Sequence, residues 1–131
     1  MTRHFANLDE LANALADDVM ADLHRKGIEA TFGASNLSCA KYIEVEGNGG
    51  EVTRLRFSDH KNVRSGPCTT IRIEGFAKPL YAYYDDNGDS IYVTEDSDEY
   101  EQFRDCCDFV GFTVSEDDYS RLLKDGLAAL S

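Results

Sequence analysis

At Gly27 the spacing of apolar residues changes from three or four to two, and the strand patterns that follow are joined by hairpins and a polar loop. That single change excludes a helical bundle and an alternating βαβ chain. Before it, Leu8, Leu11, Leu15, Val19 and Leu23 form one stripe, which predicts a helix over residues 8–26. Asn7 with Glu10 reads as a capping box, and His24, Arg25 and Lys26 suit the negative end of the helix dipole. After it, Ile28, Ala30 and Phe32 alternate with Glu29 and Thr31 as a strand. Residues 41–46 and 52–57 read as a hairpin with Ile43, Val45, Leu55 and Phe57 inward and Glu44 near Arg54 outside. Residues 58–68 read as a polar loop and 69–74 as a strand. A second hairpin, 80–84 with 90–94, turns at Asn87-Gly88. A two-residue turn there puts Leu80, Ala82, Tyr84, Ile91 and Val93 on one face and Tyr81, Tyr83 and Tyr92 on the other. Two short helices are expected to close the chain. Tyr100, Phe103, Cys107 and Val110 form the stripe of one, capped by Asp96 with Glu99. Tyr119, Leu122, Leu123, Leu127 and Leu130 form the stripe of the other, capped by Ser115 with Asp118. The expected architecture is α+β: an antiparallel sheet of five to six strands with one N-terminal and two C-terminal helices.

The 131 residues are expected to form a single domain over 1–131, large enough for its own core. No stretch is apolar for the length that spans a bilayer, and Met1-Thr2-Arg3-His4-Phe5 is too polar to open a signal peptide. A cytoplasmic location follows as an expectation, and Cys39, Cys68, Cys106 and Cys107 are then read as reduced thiols. A zinc site would have to gather Cys39, Cys68, His60 and one of Cys106 and Cys107 from distant segments, without a short two-ligand loop. No metal and no cofactor is expected.

Charge is unevenly placed. Residues 85–118 hold thirteen acids and one base, Arg104, which accounts for the whole net charge of −12. Residues 52–78 hold six bases against Asp59 and Glu74. The acidic end repels nucleic acids and anionic membranes and attracts basic surfaces. Asp85, Asp86, Asp89, Glu95, Asp96, Asp98, Glu99, Glu101, Asp105 and Asp108 are spaced so that they can imitate a phosphate backbone, and eight of them, Asp86, Asp89, Glu95, Asp96, Asp98, Glu99, Glu101 and Asp105, are the expected partner-binding acids. Such a surface would occupy the nucleic-acid channel of a partner complex. Two other uses compete: solubility, and calcium binding at Asp85-Asp86-Asn87-Gly88-Asp89, which lacks the length and closing glutamate of an EF-hand.

Three further groups have two readings each. Tyr81, Tyr83 and Tyr92 form either a protein-recognition row, through which the chain would also pair as a homodimer, or a face packed under a helix. Arg54, Arg56, His60, Lys61 and Arg64 form either a phosphate-gripping patch or a solvated face paired with glutamates. Ser58-Asp59-His60 contains the residue types of a catalytic triad. Neighbours in an extended chain point in alternating directions, so the expected role is structural, and an enzyme is not expected.

The pattern Ser35-x-x-Ser38-x-x-x-Tyr42-Ile43-x-Val45, followed by Arg54-x-Arg56-Phe57-Ser58-Asp59-His60, resembles one in small phage and mobile-element proteins. With the small size and acidity, the chain is similar to phage anti-defence proteins, among them anti-CRISPR proteins that mimic DNA. The resemblance implies a non-enzymatic inhibitor acting in the host cytoplasm on a nucleic-acid-handling, CRISPR-type complex. The alternative is a small nucleic-acid-binding or processing protein using the basic 54–64 region.

Overall fold

The first helix forms where its apolar stripe is continuous and stops where Gly27 takes a positive φ of 74°. In the computed structural model, which describes residues 2–36, 38–59, 61 and 63–131, this helix is α1, Leu8–Arg25. Asn7 accepts from the Glu10 amide at 2.9 Å, and the Glu10 carboxylate accepts from the Ala6 amide at 2.8 Å. The capping box is therefore present, displaced by one residue on its return bond. Leu11, Ala12, Leu15, Ala16 and Val19 are fully buried along the stripe.

The first strand is β1 (Thr2–Phe5), ahead of α1. β2 (Ala30–Ala34), β3 (Lys41–Glu46) and β4 (Val52–Ser58) follow as a meander. Ile43 pairs with Leu55 on the inner face, and Glu44 pairs with Arg54 on the outer, as the alternation predicts. β5 (Val63–Ser65) and β6 (Cys68–Arg72) form next. β6 runs parallel to β4, giving a five-stranded sheet of order β2-β3-β4-β6-β5. β7 (Lys78–Tyr84), β8 (Ser90–Thr94) and β9 (Asp108–Ser115) join β1 in a four-stranded sheet of order β1-β9-β7-β8. Between β8 and β9 lie α2 (Asp98–Gln102) and a 3-10 turn at Arg104–Cys106. The chain closes with α3 (Glu116–Ala129), capped by Ser115, which accepts from the Asp118 amide at 3.1 Å.

The α+β class read from the sequence is the one observed, with an N-terminal and a C-terminal helix. The strands divide between two sheets, where the periodicity suggested one. The expected helix through Tyr100, Phe103, Cys107 and Val110 is shorter than its stripe. Its last third is β9, which pairs with β7 through Asp108–Thr113 and with β1 through Phe112–Ser115. β1 was missed for a related reason: four residues do not form a strand until their partner arrives from the far end of the chain.

The main core lies where α1 and α3 cover one face of the five-stranded sheet. Ile43, Leu55, Phe57 and Ile73 meet Leu15, Val19 and Leu122 there, all fully buried. Gly126 lets α3 lie close: a Cβ on it would sit 2.8 Å from Phe57 Cζ. Tyr119 ties α3 to α1 and to β1. Its hydroxyl donates to Asp18 Oδ2 at 2.6 Å, Phe5 stacks on it at 6.3 Å, and the Arg3 guanidinium covers its ring at 3.9 Å. No helix is long and apolar enough to cross a membrane among the described residues.

Candidate functional site

The turn between β7 and β8 sets the geometry of the acidic end. Asp85 Oδ1 accepts from the amides of both Asn87 and Asp89 at 2.9 Å. The Asp85 amide donates to the Asp89 carbonyl, also at 2.9 Å, and Gly88 takes a φ of 81°. This is a three-residue loop closed by a glycine bulge, and it pairs Tyr84 with Ser90. The two-residue turn expected at Asn87-Gly88 would have paired Tyr83 with Tyr92. A slip of one residue moves side chains to the other face. Tyr81 and Tyr83 therefore share a face with Val93 and Ile91, and Tyr92 stands opposite Ala82 on the other side. The single row of three tyrosines read from the sequence does not exist.

Tyr81 and Tyr83 are half-buried beneath the 98–106 segment. Tyr81 lies 4.7 Å from Tyr100 and 5.9 Å from Phe109, ring centre to ring centre, and Tyr83 stacks on Phe103 at 4.7 Å. Their hydroxyls emerge at the rim and donate to acids, Tyr81 to Glu95 at 2.7 Å and Tyr83 to Glu99 at 3.2 Å. The Glu95 hydrogen bond, with burial, pushes the Tyr81 phenol up to about 12. Burial, and then Glu99, raises Tyr83 as well. Two carboxylates of the acidic end are thus held by rings packed in a small aromatic cluster.

The eight acids singled out in the sequence are all exposed. Ser97, rather than Asp96, caps α2, accepting from the Tyr100 amide at 3.1 Å. Asp96 instead accepts from the Thr94 hydroxyl and faces Lys78 at 3.7 Å, and both hold its carboxyl below its ordinary value. Among the described residues, no other acid of the eight meets a cation. The side chains of Asp86, Asp89, Asp98, Glu101 and Asp105 make no hydrogen bond there either. Asp85 spends its carboxylate on turn amides, and no three His, Cys, Asp or Glu side chains are gathered to hold a metal ion among the described residues.

The basic residues do not converge. Arg54 is bonded to Glu44 and lies over Tyr42 at 5.6 Å, on the outer face of the five-stranded sheet. Arg56 shares that face but donates to Thr70 Oγ1 at 2.9 Å. Arg64 pairs with Thr69, which puts it on the opposite, helix-covered side, in a groove with Asp125. Lys61 lies near Arg72 and Phe76. Ser58 is fully buried at the end of β4, and its hydroxyl donates to Asp59 Oδ1 at 3.2 Å. Cys39 is held up by burial and by the Asp59 charge, so its thiol stays protonated. His60 lies outside the described residues.

No protein-family model, curated protein or solved structure matches this chain. Its geometry alone therefore bears on function. Sequence reasoning missed the open face of the four-stranded sheet, where Tyr84 and Tyr92 are 76% and 57% exposed. His4, Asp108 and Val110 share that face, and they lie on the two strands that local pattern did not reveal. The one available signal was the alternation of Phe112 and Val114, hidden behind Gly111.

Proposed function

We propose that this protein binds the basic surface of a nucleic-acid-handling complex through its acidic end and blocks access of nucleic acid to it. The observation that carries this reading is the set of eight exposed acids between Asp86 and Asp105, of which only Asp96 meets a cation among the described residues. Acids that serve a fold are normally paired or capping; a field of unpaired ones at one end of a molecule favours a cationic partner. The tyrosine hydroxyls on Glu95 and Glu99 support it further, since charges already held in place lose less entropy on binding. A CRISPR-type effector is the partner that the resemblance to phage proteins suggests.

The test is competition. The protein is titrated into effector complexes while target-DNA binding is followed at several salt concentrations. Inhibition that weakens steeply with salt is expected. Substituting Asp96, Asp98, Glu99 and Glu101 with lysine should abolish it, provided circular dichroism shows a folded chain. Equal inhibition by the folded charge-reversed variant would refute the reading.

A further inference from the structure

The open face of the four-stranded sheet is a trough. β1 and β8 are its two edges, with two strands between them, so on a flat sheet they would stand roughly 14 Å apart. Yet the His4 and Tyr92 rings, one from each edge, have centres 6.3 Å apart. The two side chains thus reach toward each other across the face, beside an irregularity where the register of β9 with β7 shifts between Leu80 and Tyr81 and Gly111 takes a φ of 145°. Such an irregularity increases the local twist of the strand pair.

Inside the trough one cross-strand row is chemically distinct. Ala82 in β7 pairs with Tyr92 in β8 on one side and with Asp108 in β9 on the other. A small side chain flanked by an aromatic ring and a carboxylate leaves a hollow between them. The cavity there has a volume of about 440 Å³, and Tyr84, Leu80 and His4 are among the residues that line it. Thr113 shares the face by register, and its buried hydroxyl has no hydrogen-bond partner among the described residues.

We propose that this hollow receives an arginine side chain from the basic partner, an inference that rests on the function proposed above. A guanidinium is planar, stacks on tyrosine and presents a fork of donors to a carboxylate. Tyr92 and Tyr84 supply the rings and Asp108 supplies the carboxylate. Asp86 and Asp89, at the tip of the same hairpin, add the negative field that draws a cationic segment in. The acidic end thus provides long-range attraction, and the trough provides the anchoring contact.

The probes are three short peptides, identical except for a central arginine, lysine or citrulline. Binding is followed by amide chemical shifts of the isotope-labelled protein. The arginine peptide should move the signals of Ala82, Tyr92 and Asp108 saturably, the lysine peptide should bind more weakly, and the citrulline peptide should not bind. Asp108→Asn should weaken arginine binding about tenfold or more. Ala82→Leu fills the hollow without changing charge and should do the same. Shifts confined to residues 95–105, or full affinity in both variants, would overturn the trough and leave the proposed function standing. If the charge-reversed protein still inhibits the effector while the trough shifts persist, the proposed function falls and the trough remains. Equal binding of arginine and citrulline by the wild-type chain overturns the arginine assignment without relying on any variant.

Discussion

Gly111→Ala tests whether one close backbone approach holds β1 and shapes the trough. A Cβ at this position would sit 2.2 Å from the Phe5 carbonyl oxygen and 3.1 Å from Ala6 Cα. Both are backbone atoms, so no flexible side chain can swing away. The φ of 145° is itself a conformation that side-chain-bearing residues avoid, at about 1–2 kcal/mol. Forcing β1 aside adds a packing cost of about 1–3 kcal/mol, because Phe5 leaves its stacking on Tyr119. Together the substitution should cost about 2–5 kcal/mol, a large share of a small domain's stability. Gly88→Ala is the internal control. Its φ of 81° is also positive, though nearer the left-handed region, and nothing lies within 4 Å of the new Cβ, so it carries a smaller, purely backbone cost. Denaturant unfolding of the two variants, compared at constant slope, separates the cost of the close approach at Gly111 from that of an uncrowded positive-φ position. Hydrogen exchange should show β1 amides losing protection in Gly111→Ala alone. Equal destabilisation by the two substitutions would refute the reasoning.

Two further outcomes follow from the core and from the tyrosines. Gly126→Ala improves helix propensity by about 1 kcal/mol, yet its Cβ meets Phe57 Cζ at 2.8 Å and Leu55 Cδ2 at 3.1 Å. Both neighbours are fully buried, so crowding of about 1–3 kcal/mol should win and thermal unfolding should fall; an unchanged or higher midpoint would contradict it. Tyr81 has its folded-state pKa raised to about 12, so its neutral form is favoured by folding. Its contribution is complete below the ordinary phenol value near 10 and is lost as pH rises through about 12. Tyrosinate absorbance and unfolding midpoints across that range should show the loss, and Tyr81→Phe should remove it. Tyr119, raised further by burial and by its bond to Asp18, should titrate last.

Features that depend on near neighbours were legible in the sequence. The α1 stripe, the Ser115 cap, the Glu44–Arg54 pair across one hairpin and the location of the negative charge all follow from contiguous stretches of sequence. The hairpin at residues 85–89 marks the boundary of that legibility. Asn87-Gly88 announces a turn, but the Asp85 carboxylate, by accepting two loop amides, selects a three-residue loop over a two-residue one. That one choice decides which tyrosines are covered and which line the trough. Only tertiary structure could decide β1 and β9. Thr2–Phe5 becomes a strand because Phe112–Ser115 lies beside it, more than a hundred residues along the chain. The residues of the trough come together by the same long-range pairing: His4 from one end, Ala82 and Tyr92 from the middle, Asp108 from beyond α2. The sequence by itself determined the helix, the hairpins and the charged end, because short-range sterics and hydrogen bonds set them. Tertiary structure decided the two sheets, their register and the open hollow, because those depend on contacts that exist only once the chain has closed.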